Sequence, residues 1–217
     1  MGISELKNRK RKRELELEEL RKKAIKKEKK EGSNLAIKII KESVRVLIIS
    51  SIIVTIGGIS LKTVEDKLLT FIPFLILLPA LNKMLGDFGV IIVSRFTTML
   101  YEKRIRKPLL HSHNLKHLFR DIFPIVIISA VYVPVLATFA ATLQGFVFDF
   151  LFLIKIISGI LIISVLLVLL NFFVAVIGGL YVYHKKEDPD DLLIPITTSI
   201  ADLGGLILLA VLVALMF

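Results

Sequence analysis

Apolar runs of about 18 residues or more recur along this chain, and no other feature limits its fold so severely. A bilayer offers no partner to backbone N–H and C=O groups. A single segment that crosses it must therefore satisfy them internally, as a helix does. The runs fall at about Val44–Leu61, Leu68–Leu100, Ile122–Leu143, Phe150–Tyr183 and from Leu192 to the last residue, Phe217. The sequence thus specifies an all-α, polytopic membrane protein with five transmembrane helices. Hydrophobic residues make up 55% of the 217, which excludes an ordinary soluble domain.

The polar remainder is unevenly placed. Residues 1–34 are rich in Lys, Arg and Glu, and Glu14, Glu18 and Glu19 precede Arg21, Lys22 and Lys23 at helical pairing distance. This predicts a basic helical tail, broken at Gly32-Ser33-Asn34, ahead of a membrane domain over 35–217. Such a tail suits anionic lipid headgroups. It has no aromatic residue for base stacking, so no nucleic-acid partner is expected. The basic segment Tyr101–Asp121 and the pair Lys185-Lys186 are the other cationic stretches, whereas Gln144–Asp149 has no Lys or Arg. The positive-inside rule then places the N-terminus in the cytoplasm and, after five spans, the C-terminus outside. The chain has no cysteine, so thiolate metal sites and cysteine nucleophiles are absent. No nucleophile–base grouping stands out, and an enzyme is not expected. His111, His113 and His117 invite a metal reading, but they sit among cations with no carboxylate placed to complete a shell.

Two carboxylates lie inside the apolar runs. Asp202 stands ten residues into the last one, roughly 15 Å along a helix and half-way through a core of about 30 Å. A charge at that depth costs several kcal/mol, on the order of 3, unless it is paired, wetted or holding a cation. Thr198, Asp202 and Gly205 follow an i, i+4, i+7 spacing and share one stripe. In the second run, Pro73, Pro79, Asn82, Lys83, Gly86, Asp87, Gly89, Ser94 and Arg95 crowd one span and suggest a kinked or unwound helix beside a wet cavity. Asp87 falls about 12 Å inward of Arg95, near the depth of Asp202. Two carboxylates at one level repel each other without a cation between them. Asp202, Asp87 and Thr198 are therefore the candidate metal-contacting residues, with Asn82, Gly86, Gly89, Thr197, Ala201, Gly205 and Asn171 as candidate pore lining. Asn171 and Gly178-Gly179 are equally well read as helix-packing positions, and the Gly57-Gly58 pair permits close helix contact.

The string from Asp188-Pro189 through Pro195, Thr197-Thr198 and Asp202 to Gly204-Gly205 resembles the last transmembrane helix of the MgtE family of magnesium channels and transporters. The second run resembles that family's second helix, with Asp87 where many members have asparagine. The resemblance covers about residues 35–217, the membrane part, and not the cytoplasmic acidic and CBS-type domains of many members. It implies a symmetric homodimer with the pore lined by helices 2 and 5, Asp202 as the carboxylate that meets the hydrated ion, and Mg²⁺ as the transported species with no organic cofactor. Mg²⁺ is a hard ion that keeps much of its water, which suits a sparse oxygen site. The competing reading is a non-transporting membrane anchor or assembly factor whose basic tail binds lipid or an acidic partner, and it leaves Asp87 and Asp202 without a task.

Overall fold

The computed structural model describes residues 40, 44–104, 113–185 and 187–216. Two compact units divide the chain, Met1–Arg45 and Val46–Phe217, and the second holds the helix bundle. The expected basic tail, residues 1–34, lies outside the described residues. Among the described residues there are six α-helices and no strand: α1 (Val44–Lys62), α2 (Glu65–Thr70), α3 (Ile72–Tyr101), α4 (His113–Leu143), α5 (Phe150–His184) and α6 (Pro189–Met216). All but α2 are long and apolar enough to cross a membrane. The five expected spans are present, with differences in α3 and α4.

The second apolar run is interrupted at Phe71, a residue with non-helical backbone between α2 and α3, and Pro73 follows inside the first turn of α3. Beyond that point α3 is one continuous helix of 30 residues, so of the kinked or unwound helix expected here the unwound form is not seen. Pro79 lies within it and removes one N–H, leaving the Leu75 carbonyl without its intrahelical donor. The third span begins at His113 rather than Ile122, because Leu115, Leu118 and Ile122 fall on one buried stripe that carries the helix through the basic segment. Asp188 caps α6 by accepting the Asp190 N–H at 3.1 Å, with Pro189 at the first helical position. Asp149 caps α5 in the same way, through the Leu151 N–H at 2.9 Å.

Contacts fix the helix directions. Gly178, Gly204 and Gly159 meet Leu193, Leu167 and Leu212, so α5 and α6 run antiparallel. Gly205 meets Asn82 while Gly89 meets Thr197, so α3 and α6 are antiparallel too. The Ser50–Pro195 and Gly57–Leu203 contacts make α1 parallel to α6. Tyr101 and Tyr183, with ring centroids 5.6 Å apart, bring the ends of α3 and α5 to one level. The basic residues beside them, Lys103, Arg104 and Lys185, therefore share one end of the bundle.

Two apolar clusters form the core. One contains Phe74, Leu81, Leu85, Ile160, Leu167, Ala201 and Leu209, and the other Phe88, Ile92, Phe96, Ile122, Ala175 and Leu193. Between them α3, α5 and α6 each place polar or glycine residues at the middle of the bundle.

Candidate functional site

The middle layer is built where α3 crosses α6. A Cβ on Gly205 would stand 2.6 Å from Asn82 Oδ1, and one on Gly89 would stand 3.2 Å from Thr197 Oγ1 and 3.4 Å from Asn171 Nδ2. Gly86 faces the Thr198 methyl at 3.9 Å from its hypothetical Cβ. The glycines thus admit polar side chains of neighbouring helices rather than bare backbone. Asn171 and Thr197 are fully buried, and Ala201, Gly205 and Gly89 are buried with them. Asn82, Gly86 and Thr198 are half-buried. Thr197 donates its hydroxyl to Leu193 O at 2.9 Å, while neither amide atom of Asn171 has a hydrogen-bond partner among the described residues.

Asp202 is also half-buried, and it has no hydrogen-bond or ion-pair partner among the described residues. It stands beside the α3 contact and faces a groove between α6 and α1 of about 430 Å³. On the α6 side the groove is lined by Pro195, Thr198, Ser199 and Asp202, and on the α1 side by Leu47, Ser50, Ser51 and Val54. Pro195 contributes to this polarity, since a proline inside α6 brings no backbone N–H and interrupts the regular ladder. The hydroxyls bond back to the helices that carry them: Thr198 to Ile194 O at 2.9 Å, Ser199 to Pro195 O at 2.6 Å and Ser51 to Leu47 O at 2.8 Å. Ser50 reaches across to Pro195 O at 3.4 Å.

Asp87 is placed differently. It is exposed on α3 and pairs with Lys83 one turn earlier, so its charge is balanced within its own helix. The crossing contacts put Asp202 level with the α3 segment between Asn82 and Gly86, within about one helical turn of Asp87. The two carboxylates share a level, but Asp202, unlike Asp87, has no counter-charge among the described residues. Lys83, Asp87, Ser94 and Thr98 form one stripe on the side of α3 away from the buried Leu77, Leu81 and Leu85.

Of the three histidines, His111 lies outside the described residues. His113 and His117 bring their Nε2 atoms to 2.7 Å, and the Arg120 guanidinium lies 2.6 Å from His117 Nδ1. Among the described residues no three His, Cys, Asp or Glu side chains gather as a metal cluster. Sequence reasoning missed Ser50, Ser51 and Ser199 as neighbours of Asp202. The available signals were the Ser50-Ser51 pair inside an apolar run and the i−3 position of Ser199.

The family of MgtE divalent cation transporters matches residues 78–212. The chain belongs to that family. Comparison with curated proteins and with solved structures gives no match. The MgtE segment contains every candidate residue of α3, α5 and α6, and it leaves α1 outside. As a member of the MgtE family with five membrane-length apolar helices, the chain is a multi-pass membrane protein whose family moves divalent cations. The cation is its substrate.

Proposed function

We propose that this protein carries Mg²⁺ across the cell membrane, with Asp202 as the central carboxylate and Thr198 beside it. The observation that carries the reading is a carboxylate half-way along a membrane-length helix, without a partner among the described residues and opening on a hydroxyl-lined groove. Six waters of an octahedral Mg²⁺ shell occupy roughly 180 Å³ at about 30 Å³ each. The groove of about 430 Å³ admits that complex without stripping it. Its lining offers oxygen ligands only, which favours a hard ion over zinc or nickel.

A symmetric homodimer completes the pathway in this proposal, with α3 and α6 of both copies around one axis. It is supported by the outward stripe of Lys83, Asp87, Ser94 and Thr98, since charges at that depth are costly against lipid and tolerable against water or a second copy. Asp87 contributes to the same pathway as a balanced charge, and anionic lipid meets the basic end of the bundle. The N-terminus is cytoplasmic and the C-terminus external, on the charge of the loops.

The test is Mg²⁺ uptake into liposomes that contain only the purified protein, comparing wild type with Asp202→Asn. At a water-separated distance of about 5 Å, a divalent ion and one carboxylate attract by about 1.7 kcal/mol in bulk water and about 6.6 at an effective dielectric of 20. Even the lower figure exceeds a tenfold change, so uptake falls at least tenfold in the variant. Wild-type uptake by Asp202→Asn sinks the assignment.

A further inference from the structure

We infer that Ser50 and Ser51 of α1 are specificity-determining residues for the transported cation, forming a wall of its site opposite Asp202. The inference rests on the reading of Asp202 given above and extends it to a helix outside the segment matched to the family. Two observations carry it. One is the groove itself, which α1 and α6 line about equally. The other is the direction of the protons. Ser50, Ser51, Thr198 and Ser199 each point a hydroxyl proton at a backbone carbonyl. A hydroxyl whose single proton is spent in this way offers only lone pairs to whatever enters. Asp202, when ionised, also offers only lone pairs. The groove is therefore an acceptor-only surface with a negative charge at its inner end. Anions and neutral acceptors find no donor there, whereas the water shell of a metal ion presents only donors.

The chemistry selects for outer-sphere binding. Hydroxyl and carboxylate oxygens on two separate helices meet different faces of one hydrated ion. α1 then reports whether the shell is present, because a stripped ion drawn to Asp202 leaves the serines without a partner. Ser51 is exposed on α1 and Ser50 is half-buried, so both hydroxyls are reachable from the groove. Alanine at either place keeps helix propensity and removes the oxygen.

The experiment uses hexaamminecobalt(III), an exchange-inert cation that binds only through its outer N–H groups, as inhibitor of Mg²⁺ uptake into proteoliposomes of the full chain. The complex inhibits the wild type. In Ser50→Ala/Ser51→Ala the concentration for half-inhibition rises about tenfold or more, as loss of two hydrogen bonds at a charged ligand requires. Ser50→Thr/Ser51→Thr retains the oxygens and restores inhibition. Ser51→Ala alone, which removes only a hydroxyl bonded to its own helix, is the substitute should the double variant fail to fold, and its half-inhibition concentration rises about threefold or more. Inhibition of the alanine variant at the wild-type concentration overturns the inference, and so does a wild type that the complex does not inhibit. Loss of uptake in Asp202→Asn together with an unaffected alanine variant removes α1 alone from the site. Retained uptake in Asp202→Asn removes the reading beneath it.

Discussion

Gly57 and Gly58 are adjacent and chemically identical, yet alanine should affect them in opposite directions. Gly57 is the one buried residue of α1, and a Cβ there would lie 2.9 Å from Leu203 Cδ1, 3.2 Å from Leu206 Cδ1 and 3.2 Å from Leu203 Cα. The leucine tips can rotate, but the backbone Cα cannot, so α1 must move off α6 beside Asp202. At Gly58 a Cβ meets nothing within 4 Å. Overpacking of a tight contact costs about 1–3 kcal/mol, and replacing a helical glycine by alanine returns about 0.8–1 kcal/mol. The propensity gain is common to both variants and cancels in their difference, which leaves about 1–3 kcal/mol between Gly57→Ala and Gly58→Ala. For a chain of this size that difference separates their melting temperatures by roughly 2–12 °C, at about 2–4 °C per kcal/mol. Circular dichroism at one detergent composition reads the melting, and proteoliposome uptake shows whether the displaced α1 also lowers Mg²⁺ flux. Gly58→Ala should melt at or above the wild type. Equal melting of the two variants, or a less stable Gly58→Ala, would refute the docking of α1 on α6 through Gly57.

Two further expectations concern charge and orientation. Lys83→Gln frees Asp87 from its partner and should lower the Mg²⁺ concentration for half-maximal uptake several-fold, while Asp87→Asn leaves uptake within a few-fold of wild type; loss of uptake in Asp87→Asn alone would move the central site from α6 to α3. Single cysteines at the exposed Gln144 and Glu187 should label from opposite sides of sealed vesicles, Glu187 from the cytoplasmic side, and labelling of both from one side would overturn the alternating arrangement of α4, α5 and α6.

Much of this molecule is legible in its sequence because bilayer burial is a one-dimensional constraint. Run length and polarity alone locate five helices, and the Asp188-Pro189 turn is a cap whose chemistry is local. The depth of Asp202 follows from counting residues along a helix. What the sequence leaves open is rotational. Nothing local distinguishes Gly57 from Gly58, because the difference is made by Leu203, almost 150 residues away. Asn171 fits a pore wall or a packed core equally well in sequence, and the structure places it fully buried beside Gly89. The start of α4 at His113 does not follow from hydropathy, because the charged residues there hide the buried stripe of Leu115, Leu118 and Ile122 that holds the helix. The i, i+4 spacing of Lys83 and Asp87 was visible in the sequence. Its consequence, that Asp87 carries its own counter-ion, needed both side chains on one exposed face.

That last point sets the charge of the middle layer. Lys83 and Asp87 cancel, Asp202 does not, and Arg95 lies about 12 Å further along α3, beyond the layer. Each chain therefore contributes one net negative charge at this depth. In the proposed homodimer two such charges meet across the axis, and one divalent cation neutralises them. A monovalent ion leaves one charge uncompensated at bilayer depth, which costs on the order of 3 kcal/mol where water is scarce. Selection by valence then needs no cage of ligands, only the absence of a basic partner for Asp202. A second lysine on the groove side of α1 would cancel that charge, and the sequence places Leu47, Ser50, Ser51 and Val54 there instead.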